Sequence, residues 1–249
     1  MGAEISKDKH SESVEGPSYA QPQIKKTDHA KEIQTVSVPH NCENILKDAD
    51  KPVNKSSTNK LNDQLCAGVF LNQKKKANKF YCMQKYWVER KSLVNCFMLF
   101  AKDLYICWSD DNRYWNWFLL EDKESCDKSV AVAELLNVCW LDIHGKFDTA
   151  NLSPEIMYEV VFVLKLKDPA YGWEVPVNVR LTLPDGSKQQ QKVKLMDKPR
   201  GQWIEIPAGE LKTSADQNVG EMEVSLYEYD GGKWKTGLMV KGVVIRPKP

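Results

Sequence analysis

Between residues 106 and 118 the chain reads Ile-Cys-Trp-Ser-Asp-Asp-Asn-Arg-Tyr-Trp-Asn-Trp-Phe, three tryptophans and a tyrosine around a polar Ser-Asp-Asp-Asn-Arg stretch. An indole offers a flat apolar face, while Asp, Asn and Arg offer acceptors and donors in fixed directions. A pyranose ring needs both, because it has an apolar C–H face and an edge of hydroxyls. An N-acetyl group adds a methyl and an amide, which an aromatic pocket with one hydrogen-bonding partner can read. Trp108 and Trp115 are seven residues apart, and on an unbroken strand an odd spacing puts them on opposite faces. Ser109–Arg113 is turn-like, so the chain can fold back and bring both indoles to one rim. Trp115 and Trp117 share a face if that piece is extended. The competing reading is core packing, the commonest place for tryptophan in a β-sandwich, and residue types alone leave both open. Trp87, Trp140 and Trp203, each on an apolar run, read as core or sheet edge. Trp173 and Trp234 read as loop anchors.

Carboxylates beside aromatics also describe a glycosidase. That chemistry needs two carboxyls roughly 5–10 Å apart, and the adjacent Asp110 and Asp111 project in diverging directions. Of four histidines, only His144 lies in the strand-rich region, where it reads as an ordinary strand residue. No Gly-rich phosphate loop and no metal-spaced ligand set appears. Seven cysteines are scattered without a Cys-x-x-Cys pair, which disfavours a zinc site. Neither catalysis nor a metal or other cofactor is expected.

Such a site must be carried by strands. Val175, Val177, Val179, Leu181 and Leu183 alternate with Pro176, Asn178, Arg180 and Thr182, and Tyr158, Val160, Phe162, Leu164 and Leu166 also fall two apart. Met222, Val224 and Leu226 repeat the period of two. Pro184-Asp185-Gly186 and Asp230-Gly231-Gly232 supply turns. Many short strands with turn signals predict an all-β, antiparallel β-sandwich or jelly roll. Two short helices precede it, one over His40–Asp50 with Ile45, Leu46 and Ala49 on one side. The other is capped by Ser57 or Thr58, with Leu61, Leu65 and Val69 inward. The expected domains are a disordered polar tail over 1–38, a short helical and linker region over 39–80, and the β-sandwich over 81–249.

Composition bounds the partners. A formal net charge of +1 on 249 residues argues against a nucleic-acid binder, which needs a positive field. No run of about 18 apolar residues occurs, so no membrane insertion is expected. The polar first residues lack the apolar core of a signal peptide, so the chain reads as cytoplasmic with reduced thiols. Met1–Ser6 fits the short pattern for myristoylation at Gly2, and Lys74-Lys75-Lys76 reads as a solvated linker or a nuclear-import patch.

Taken as long strings in order, the chain resembles the phloem protein 2 lectins, within the wider family of Nictaba-related plant lectins. The strings are PHNCENILKDADKPV, GVFLNQKKK, YWVERKS, NCFMLFAKDLYICWSDDNRYWNWF, NVCWLDIHGKFDTANLSP, YEVVFVLKLKDPAYGW and KWKTGLMVKGVVIRPKP, covering roughly residues 39–249. The resemblance implies a metal-independent lectin with a jelly roll similar to carbohydrate-binding modules. Its implied ligands are N-acetylglucosamine oligomers (chito-oligosaccharides) and N-glycan cores on glycoproteins. It implies the phloem sieve element or companion cell as the place of action, in stress and defence. A homodimer is expected on separate grounds, because one shallow site binds weakly and linked sites raise apparent affinity. The alternative is a structural, filament-forming phloem protein acting through protein–protein cross-linking. The family's ligand-binding tryptophans carry over onto Trp108 and Trp115, with Trp117 as the third tryptophan of the pattern. Its two acidic partners carry over onto Glu221 and Glu228. Those two are also seven apart, so on a regular strand only a bulge lets both reach one ligand.

Overall fold

The computed structural model describes residues 38–71, 84–121, 129–215 and 219–249. Gly2, the Lys74–Lys76 triplet and all but the last residue of the 1–38 tail fall outside these ranges. Among the described residues, the strands form two antiparallel sheets. The larger holds β1 (Val69–Leu71), β2 (Gln84–Val88), β3 (Asn95–Phe100), β5 (Trp115–Glu121), β6 (Ser129–Leu135), β8 (Met157–Leu166), β11 (Trp203–Lys212) and β13 (Leu238–Pro247). The smaller runs in the order β10 (Lys188–Val193), β9 (Val177–Thr182), β12 (Glu221–Glu228), β7 (Leu141–Asp148) and β4 (Tyr105–Ile106).

The alternation read from the sequence is the inward pattern. Tyr158, Val160, Phe162, Leu164 and Leu166 of β8 are buried, and so are Val177, Val179 and Leu181 of β9 and Met222, Val224 and Leu226 of β12. One apolar core joins residues of both sheets, so the architecture is the expected sandwich. The core is organised around β13. One of its edges pairs along its length with β8, while the other meets β6 at Met239 and Val240 and β3 from Gly242 to Ile245. The partner changes at a bulge between Val240 and Gly242. Gly242 has φ +151°, and a Cβ there would lie 1.9 Å from the Leu99 carbonyl oxygen. Only glycine lets β3 approach that closely.

The helical region is tied into the sandwich. In α1 (Cys42–Ile45), Cys42 and Ile45 are buried, and Leu46 continues the packing in a 3₁₀ turn. In α2 (Thr58–Ala67), the Ser57 hydroxyl accepts from Lys60 N, and Leu61 and Leu65 join the core. Val69 differs from expectation. Gly68 ends the helix at φ +93°, and Val69 starts β1, which pairs with β2. The sheet therefore starts inside the segment read as linker. Buried Asn95 fastens the region, donating to the carbonyls of His40 and Asn151 at 2.7 and 2.8 Å while its Oδ1 accepts from Tyr86.

Candidate functional site

The segment 107–114 leaves β4, at the edge of the small sheet, and enters β5 of the large one. Ser109 N donates to the Ile106 carbonyl, Asp111 N to that of Trp108, and Tyr114 N to that of Asp111, each within 3.1 Å. The chain folds back there, as the turn residues foretell. It does not bring the indoles to one rim. Trp115 is 2% exposed and donates from Nε1 to the Cys107 carbonyl at 3.0 Å. Trp117, two residues on, is half-buried and donates to the Ser109 carbonyl at 2.8 Å. The Lys102 ammonium sits 3.3 Å from the Trp117 ring centroid. These two indoles hold the carbonyls on either side of Trp108. Trp108 faces the other way, 48% exposed, with φ +60°. Tyr114 supports it from the side at a ring separation of 5.3 Å.

The two glutamates part in the same manner. The register of β12 against β7 is unbroken, so no bulge brings them together. Glu221 is exposed, 2.6 Å from Lys146. Glu228 is 2% exposed and ion-paired with Lys235, itself 0% exposed. The Lys235 ammonium also donates to the carbonyls of Cys139 and Lys233, and Glu228 accepts from Gly231 N at 2.7 Å. Of the residues singled out in the sequence, Trp108 and Glu221 line one groove, Trp115 and Trp117 anchor its loop, and Glu228 lies in the interior. Trp115 and Glu228 thus present no surface for a ligand to touch.

That groove, about 1320 Å³, runs between the 103–112 segment and the outer face of β7 and β12. Exposed Tyr105 stacks on His144 at 5.6 Å. His144 Nε2 lies 2.9 Å from Asp142, and Nδ1 lies 3.2 Å from the Ser225 hydroxyl and 3.8 Å from Glu223. Asp103, Asp110, Asp111, Glu221 and Glu223 all line the groove, against a single lysine, Lys146. A two-pronged bond from the Arg113 guanidinium holds the Asp111 carboxyl below the usual carboxylate range. Carboxylates in this number repel phosphates and other anions and accept hydrogen bonds from neutral hydroxyls. Among the described residues, no group of three or more His, Cys, Asp or Glu side chains is placed to hold a metal.

Tyr105, Lys146 and Glu223 were not picked out from the sequence, and His144 was read there as an ordinary strand residue. A signal existed for three of them, since Leu141, Ile143, Gly145 and Phe147 alternate inward and so turn His144 and Lys146 outward. Glu223 follows from the same alternation in β12. Nothing local brings Tyr105 beside them.

Residues 94–247 match the phloem protein 2 family. The chain belongs to that family. A phloem protein 2-like A1 protein of Arabidopsis thaliana is 53% identical over 216 residues, covering 86% of this chain and 83% of its own length. A protein of Luffa acutangula named simply a lectin is 44% identical over 214 residues, covering 86% and 96%. Among solved structures, the CBM22-1 xylan-binding domain of Paenibacillus barcinonensis Xyn10C aligns with 59% of this chain and 87% of its own, at 10% identity and a TM-score of 0.33. The phloem protein 2 match begins at Val94, one residue before β3, and runs through β13. It therefore contains the whole Trp108 loop and both strands of the groove floor, while α1, α2, β1 and β2 precede it.

Proposed function

We propose that this protein is a metal-independent lectin whose groove binds N-acetylglucosamine oligomers and N-glycan cores. The observation that carries the reading is Trp108. A half-exposed indole, set outward by the buried Trp115 and the half-buried Trp117, stands at the rim of a groove lined with hydroxyl acceptors. In this reading Trp108 stacks on a sugar ring, Glu221, Glu223 and Asp110 accept from hydroxyls, and Trp115 and Trp117 position the loop. The lectin relatives support it. A shallow site of this kind binds weakly, so bridging between glycans requires a homodimer. The proposed place of action is the cytoplasm of phloem cells.

Titration with chito-oligosaccharides in the presence of EDTA tests the reading. The wild type should bind, with no gain on adding Ca²⁺. One stacked ring contributes about 1–3 kcal/mol in the nearest measured analogue, bases on aromatic side chains. Trp108→Ala should therefore weaken binding about tenfold with the fold intact. Unchanged affinity in that variant would place the site elsewhere, and a folded wild type that ignores every N-acetylglucosamine ligand would remove the proposed specificity.

A further inference from the structure

The outer face of the small sheet continues beyond the groove. On β7, residues two apart point the same way, so the line Lys146, His144, Asp142 leads on to Trp140, just before the strand begins. On β12, Tyr227 is opposite Asp142, and Tyr229 lies one step further out. The rings of Trp140 and Tyr229 stack at 4.3 Å and 13°. Tyr229 stacks in turn on Tyr227 at 5.4 Å, and the Arg180 guanidinium lies 5.2 Å from the Tyr227 ring. Tyr229 covers one face of the Trp140 indole, and Trp140 is nonetheless 44% exposed.

The platform is held in place from below. Tyr229 follows Glu228, and Trp140 follows Cys139, whose carbonyl accepts from Lys235. The buried Glu228–Lys235 pair therefore fastens the two short segments that carry these rings. An aromatic surface fixed before binding loses little freedom when a ligand arrives.

We infer that Trp140, supported by Tyr229, is a second sugar-stacking subsite, and that one β-linked oligosaccharide lies along β7 from Trp108 and Tyr105 to Trp140. This rests on the lectin reading of the groove. Trp140 lies four positions before His144, about 13 Å at strand rise, which a single sugar ring cannot span and a short oligomer can. The stretch between them is polar: Asp142 and the Tyr227 phenol suit a chain of hydroxyls better than an apolar protein face.

The test is titration of wild type, Trp108→Ala and Trp140→Ala with N-acetylglucosamine oligomers from disaccharide to hexasaccharide, with sedimentation of each. Wild-type affinity should rise with chain length. Trp140→Ala should bind the disaccharide as wild type does and bind the hexasaccharide at least about fivefold more weakly, the low end for one stacked ring. Equal hexasaccharide affinity in Trp140→Ala, with Trp108→Ala impaired, would overturn the second subsite and leave the groove standing. Loss of a dimer in Trp140→Ala with hexasaccharide affinity unchanged would assign the patch to a second copy of the chain and overturn the subsite too. A wild type that binds no oligomer would overturn both. Should Trp140→Ala not fold, indole N–H resonances of the labelled wild type decide. Saturating hexasaccharide should shift the Trp108 and Trp140 signals and disaccharide only the first; a Trp140 signal unmoved by hexasaccharide would sink the inference.

Discussion

Trp108 occupies a backbone region that a bulky L-residue rarely adopts, at φ +60°. That conformation costs a non-glycine residue roughly 1–2 kcal/mol, and the fold bears it at the one indole aimed into the groove. The strain is separable from the stacking proposed for this ring. Trp108→Gly and Trp108→Ala both remove the ring, but only glycine relieves the backbone. The glycine variant should be the more stable by about 1 kcal/mol in urea denaturation, with sugar binding weakened equally in both. Equal stabilities would mean that the loop relaxes when the indole goes. A second residue-scale device is the Glu228–Lys235 pair. Removing one partner leaves a buried charge alone, so Glu228→Gln or Lys235→Met should each cost about 3–5 kcal/mol. Replacing both by methionine should recover most of that loss, since a buried pair is often no better than well-packed apolar groups of similar volume. Single variants within 1 kcal/mol of wild type in the same denaturation experiment would contradict a buried ionic role.

At the scale of elements, β13 is the strand on which the large sheet turns. It changes partner on one edge at Gly242, where β3 comes too close for any side chain. Gly242→Ala must displace the Leu99 carbonyl or unpair β3. The expected cost is at the upper end of the roughly 1–3 kcal/mol that strained backbone carries, read as a lowered melting temperature. A variant that melts with wild type would show that the junction has slack. The loop between β4 and β5 follows the opposite logic. It has little regular structure, and two indole N–H groups hold it from β5, so loop and strand form one unit where the chain passes from the small sheet to the large one.

For the whole molecule, the centre of the large sheet is its last strand, so the sheet is complete only when residues 238–247 have joined β3, β6 and β8. Such non-local pairing favours slow folding. The thiols show where oxidation can act. Burial pushes the Cys96 thiol up to about 12, and burial also raises Cys42 and Cys107. A thiol whose pKa lies above the ambient pH stays protonated, and only the thiolate is nucleophilic. Of the five described cysteines, half-exposed Cys66 and Cys139 should react with a thiol reagent at pH 8 before buried Cys42 and Cys96, because the reagent can reach them. Cys42 and Cys96 should react only after unfolding. Mass-spectrometric mapping of the labelled native protein checks this, and early labelling of Cys96 would mean that the sheet opens locally.

The sequence by itself determined most of the strands, the division of each into two faces, and an N-cap at Ser57 or Thr58. The period of two in Tyr158–Leu166 and in Val177–Leu181, and the Ser57 cap, are local properties of backbone and side chain, and the structure keeps them. Local spacing also showed that Glu221 and Glu228 take opposite faces of a strand. What spacing left open is which face meets the other sheet. An indole suits a core as well as a sugar, so only the tertiary structure decided that Trp115 goes in and Trp108 out. Glu228 is internal because Lys235 meets it there, and Lys235 in turn bonds Cys139, 96 residues away. Trp140 and Tyr229 form a platform because β7 and β12 pair in one register. Contacts of that range exist only once the chain has closed on itself, because local periodicity fixes orientation within a strand and says nothing of what the strand will face.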